Sequence, residues 1–99
     1  MEAFNQLTNS DKPVLVSFHT NWCSPCKMME PIVDQLGTEQ HDNARVLKID
    51  IDEHRTLTQQ YEIKSIPTFI LFKNGEILWR RSEVVDKATL IQEIQKSVD

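Results

Sequence analysis

Cysteine is scarce: the 99-residue chain has two, Cys23 and Cys26. Two are too few to staple a small scaffold. A bridge across two intervening residues also closes a very short loop, which constrains the unfolded chain little. If these thiols matter, they matter as chemistry. Basic charge is scarce too: 11 Lys and Arg stand against 15 Asp and Glu, a formal net charge of −4. That sign disfavours nucleic acid and acidic membrane surfaces as main partners, because both attract basic proteins. Long apolar runs are missing. The longest is Phe69-Ile70-Leu71-Phe72, against about 20 residues for a membrane-spanning helix. Residues 1–20 include Glu2 and Asp11 and hold no signal-peptide core. Few cysteines and no export signal point to a reducing cytoplasm.

What is present, 39% hydrophobic and 26% charged residues, suits a globular chain. The length leaves room for one core, so a single domain over residues 1–99 is expected. Residues 2–9 read as a short helix with Phe4 and Leu7 on one face. Asn9-Ser10-Asp11-Lys12-Pro13 is turn chemistry. Val14 to His19 is β-branched and aromatic and reads as a buried strand. A helical pattern follows from about Pro25 to Glu39, with Met28, Met29, Ile32, Val33 and Leu36 on one side. Pro31 lies inside it and is expected to kink it, because proline removes a donor and clashes with the preceding turn.

Residues 45–51 form a second strand by their alternation, and Asp52 is placed to cap the helix that pairs Leu57 with Tyr61. Thr68–Lys73 and Glu76–Arg81 are strands joined by Asn74-Gly75, a strong hairpin signal because both turn residues need positive φ. Asp86 caps a final helix with an apolar stripe of Leu90, Ile91, Ile94 and Val98. The basic pair Arg80-Arg81 beside Trp79 suits a solvated edge strand. The strand-helix-strand piece implies a parallel pair with a right-handed crossover. The expected fold is α/β: a mixed four-stranded sheet with helices on both faces.

Trp22-Cys23-Ser24-Pro25-Cys26-Lys27 falls where the first strand gives way to the first long helix. Thiolate is the reactive form of cysteine, and the free amides of a helix N-terminus favour it. Cys23 lies at the helix start. Cys26 lies one turn inside and is expected to be the more buried, within reach of a mixed disulfide on Cys23. Pro25 suits a first helical turn, where a missing N–H costs little. A C-x-x-C pair near a βαβ pattern is a known redox signature, but half of a zinc site is the alternative. His41 and His54 are the further ligands available, in or beside loops with no second paired motif.

With Pro31, Ser65-Ile66-Pro67-Thr68 and Phe72-Lys73-Asn74-Gly75-Glu76 added in this order, the chain resembles the thioredoxin family from about Pro13 to its C-terminus. The resemblance implies a thioredoxin-like fold and a thiol–disulfide oxidoreductase that reduces protein disulfides. Cys23 would be the nucleophile, Cys26 the resolving thiol, and the two together the redox-active disulfide. Trp22, Ser24, Pro25, Ile66, Pro67 and Glu83 would form the substrate-docking surface, with Ile66-Pro67 as the cis-proline loop. No bound cofactor or metal is implied. The implied partners are disulfide-containing proteins and an external reductase or small thiol that recycles the pair, with the chain itself a monomer.

Four departures stand out. Ser17 takes the place of the family's buried acid, so Lys48, the lysine that usually accompanies it, is expected to lack its carboxylate. His19 shares a strand face with Ser17 and is a candidate proton shuttle for Cys26. Ser24 replaces a glycine between the cysteines, where residues tune redox poise. Glu83 replaces a glycine beside the docking groove and is expected to narrow the groove and repel acidic partners. The family's first edge strand is expected to be missing. A different class of function stays open: a binding module dedicated to one partner, with slow or vestigial redox turnover. So does a metal or iron–sulfur carrier bridging a dimer through its thiols.

Overall fold

A computed structural model describes residues 2–98. The chain runs α1 (Glu2–Thr8), β1 (Val14–His19), α2 (Ser24–Glu39), β2 (Arg45–Asp50), α3 (Arg55–Gln60), β3 (Thr68–Lys73), β4 (Glu76–Arg81) and α4 (Lys87–Ser97). The strands form a four-stranded sheet in the order β2-β1-β3-β4. β1 and β2 are parallel, and β1–β3 and β3–β4 are antiparallel.

The period of two in β1 and β3 divides the core. Val14, Val16, Phe18, Ile70 and Phe72 face Phe4 of α1 and Leu57 of α3. Leu15, Phe69 and Leu71 face Met29, Val33 and Leu36 of α2 and Leu90 and Ile94 of α4. Both central strands are buried on both faces, which is why they read as nearly continuous apolar runs. Ser17 lies on the α2 face of β1 by the same period and is the polar break in it.

The Asn74-Gly75 turn has φ of 53° and 80°, as the hairpin signal requires. Its amides donate to the carbonyls of Ser10 and Thr8, which tie the end of α1 to the hairpin. Asp86 caps α4 by accepting from the Thr89 amide. Hydrogen bonds from Thr89 hold its carboxyl below the usual range.

Several expectations need correction. Leu7 is exposed, and Thr8 is the buried partner of Phe4 because its hydroxyl is satisfied by the Phe4 carbonyl. β2 ends at Asp50, although the Ile51 amide still donates to the His19 carbonyl. Asp52 does not cap α3; His54 stands there without a side-chain cap bond. Met28 is exposed while Met29 is buried, since the apolar stripe of α2 is narrower than the pattern suggested. β4 is the outer strand as expected, and Arg80 donates to the carbonyls of Tyr61 (2.6 Å) and Glu62 (3.0 Å) just past α3.

Phe4, Tyr61 and Phe72 form an aromatic trio with centroids 5.5–5.7 Å apart, in which Phe72 meets both other rings edge-on. Phe72→Ala should therefore lower stability by about 3–5 kcal/mol, from lost burial and a residual cavity. Urea unfolding with an unchanged slope is the check.

Candidate active site

The strand-to-helix junction after β1 builds the site. Cys23 has extended backbone (φ −100°, ψ 112°) and occupies the N-cap position of α2. Its sulfur therefore takes the place of a capping oxygen: the Cys26 amide donates to Cys23 Sγ at 3.2 Å. The two sulfurs are paired as a disulfide, with Cα atoms 5.2 Å apart. The cysteines are buried almost equally, 7% and 6% exposed, so the expected difference between them is absent. The first turn of α2 lies across both.

The Ile66–Pro67 peptide is cis and brings the Ile66 carbonyl oxygen 4.0 Å from Cys23 Sγ. Pro67 is buried, whereas Ile66 is half-exposed. The Thr68 hydroxyl fastens this loop, donating to the Ser65 carbonyl at 2.6 Å and pairing with the Ser82 hydroxyl at 3.0 Å. Ser82 thereby holds the segment carrying Glu83 against the same loop. Glu83 makes no contact with the thiols; its carboxylate turns back to Arg81 (3.4 Å), whose guanidinium lies over Trp79. The pair is exposed, so its attraction is screened by solvent.

Trp22 is 72% exposed, which sets aside a core role. Its indole Nε1 donates to Asp52 Oδ2 at 3.1 Å, and the Thr20 hydroxyl donates to the same oxygen at 3.2 Å. This is where the supposed cap residue of α3 is used. Sequence reading missed Asp52 as a site residue; an exposed tryptophan with a polar N–H needing a partner was the available signal. Ser24 and Pro25 are exposed on the outer side of the first turn.

Behind the disulfide lies a cavity of about 440 Å³, lined by Ser17, His19, Cys26, Lys27, Glu30 and Lys48 among others. Ser17 and His19 do share a face, as expected. Lys48 does not lack a carboxylate: Asp34 of α2 accepts from its Nζ at 2.7 Å. That hydrogen bond raises the Lys48 ammonium above its usual value, so it is cationic at neutral pH. The helix supplies the partner that β1 does not.

A protein-family model described as Thioredoxin matches residues 1–96. The chain belongs to the thioredoxin family. A thioredoxin-like protein of Synechocystis is 45% identical over 89 residues, covering 90% of this chain and 85% of that one. A thioredoxin of Rickettsia prowazekii is 44% identical over 94 residues, covering 95% and 90%. The solved structure of a mutant thioredoxin from Halobacterium salinarum superposes with a TM-score of 0.91 at 31% identity, covering all of this chain and 86% of that one. Family and paired cysteines together make this chain a thiol–disulfide oxidoreductase. The dithiol form of this pair carries two electrons and gives them up when the Cys23–Cys26 S–S bond forms.

Asp52→Ala removes the acceptor shared by Trp22 and Thr20. In a Trp79→Phe background, where Trp22 is the only tryptophan, its fluorescence anisotropy should fall. Unchanged anisotropy would mean that packing alone holds the ring.

Proposed function

We propose that this chain is a protein-disulfide reductase in which Cys23 is the nucleophile and Cys26 the resolving thiol. The observation that supports it best is the Cys26 amide aimed at Cys23 Sγ at 3.2 Å, with the positive end of a 16-residue helix behind it. A donor so placed favours the thiolate of Cys23 over that of Cys26. The Ile66 carbonyl beside the same sulfur offers an extended substrate segment a strand-like pairing partner, which gives affinity with little sequence demand. Trp22 and the Pro67 loop flank the approach.

Cys23 thiolate attacks one sulfur of the substrate disulfide. The new bond joins Cys23 to that sulfur, and the other leaves as a thiolate. Cys26 then attacks Cys23 Sγ, the substrate is released reduced, and the Cys23–Cys26 disulfide remains. An external reductase or small thiol returns the pair to the dithiol. A reducing compartment such as the cytoplasm suits this direction of flow. We take the acting unit to be the monomer. The alignment of thiols, amide and carbonyl favours turnover over a dedicated binding module.

Cys23→Ser should abolish reduction of a model disulfide such as that of insulin, and Cys26→Ser should accumulate mixed disulfides with substrate. Turnover by the Cys23→Ser variant would overturn the assignment. Glu83→Gly should widen the range of protein disulfides reduced, with bulky substrates gaining most. An unchanged range across a substrate panel would remove Glu83 from the specificity determinants.

A further inference from the structure

The cavity behind Cys26 raises a question that the sulfur geometry leaves open: where the proton of the resolving thiol goes. Ser17 stands at the family's acid position, is 4% exposed, and as a neutral hydroxyl is no base at neutral pH without activation. Lys48 is cationic and held by Asp34, so it donates and does not accept. Lys27 is likewise no acceptor. The titratable acceptors that line the space are His19 from β1 and Glu30 from α2. Glu30 lies four residues after Cys26, on the same helix face one turn along. Its charge reaches Lys48 across the cavity, adding to that of Asp34. At about 440 Å³ with polar walls, the space is large enough to hold several waters.

We propose that Glu30 replaces the missing buried acid: through water in this cavity it accepts the proton of Cys26 Sγ as the mixed disulfide is resolved. This role rests on the assignment of Cys23 as nucleophile and Cys26 as resolving thiol. The Cys26 S–H proton passes through water to a Glu30 carboxylate oxygen. The freed electron pair forms the Cys26–Cys23 bond, and the bond from Cys23 to the substrate sulfur breaks. That sulfur leaves as a thiolate and takes a proton back from Glu30. The two protein thiols lose two electrons, and the substrate disulfide gains them.

The sign of the effect separates this role from a passive one. A bystander carboxylate near Cys26 opposes its ionisation, so its removal would speed resolution. Removal of a proton acceptor slows it. The reduced protein is mixed with a symmetrical aromatic disulfide whose thiolate is coloured. Attack by Cys23 releases the first equivalent, and attack by Cys26 releases the second. Glu30→Gln should leave the first phase within about twofold and slow the second by about 10-fold or more near neutral pH, the scale of general-base assistance. Its second phase should also rise more steeply with pH, as hydroxide takes over, while Glu30→Asp retains most of the rate. A second phase unchanged or faster in Glu30→Gln would overturn the proposal, as would a loss confined to His19→Phe. A first phase that survives Cys23→Ser would instead overturn the assignment beneath it.

Discussion

The hydrogen bond from the Cys26 amide to Cys23 Sγ is the contact around which the molecule is organised. It exists because Cys23 ends the extended chain leaving β1 and caps α2 in the same residue. A serine or aspartate at an N-cap would offer oxygen to that amide; here the acceptor is a sulfur that can also change oxidation state. The bond needs the helix held in place. Met29, Val33 and Leu36 bury one face of α2 against Leu15, Phe69 and Leu71. Catalytic geometry thus depends directly on apolar packing a turn or more away.

A second consequence follows from the sheet. Ile66 approaches Cys23 because β3 runs antiparallel beside β1, so the loop before β3 lies at the end of β1 where α2 begins. The Thr68–Ser82 pair adds the far end of β4 to that loop. Three separate pieces of chain are therefore joined around one sulfur by the order of the strands. None of them is close to the others in sequence.

Much of this was legible from the residues. Val14–His19 and Thr68–Lys73 are mostly apolar because both strands are central. Asn74-Gly75 marks the hairpin because both residues hold positive φ. The C-x-x-C pair at a strand-to-helix boundary, with Ile66-Pro67 downstream, located the site. What could not be read was which carboxylate meets which cation. Asp34 and Lys48 are on different elements and meet through the packing of α2 on β2. Asp52 looked like a helix cap, since acid before a helix is the ordinary sign of one, but Trp22 and Thr20 take it instead. Local patterns announce local partners; these pairings are tertiary.

The placement of acid on the helix and not on the strand has an energetic logic. A carboxylate at position 17 would sit where Ser17 is 4% exposed, beside Lys48 in the sheet register. Ionised burial of that kind costs several kcal/mol before pairing offsets it. Asp34 and Glu30 are both exposed on α2, so neither bears that cost. Glu30 and Lys48 both line the cavity that Cys26 borders. In a chain of 99 residues with a small core, Asp34 thus holds Lys48 from the helix surface without a carboxylate buried in the sheet.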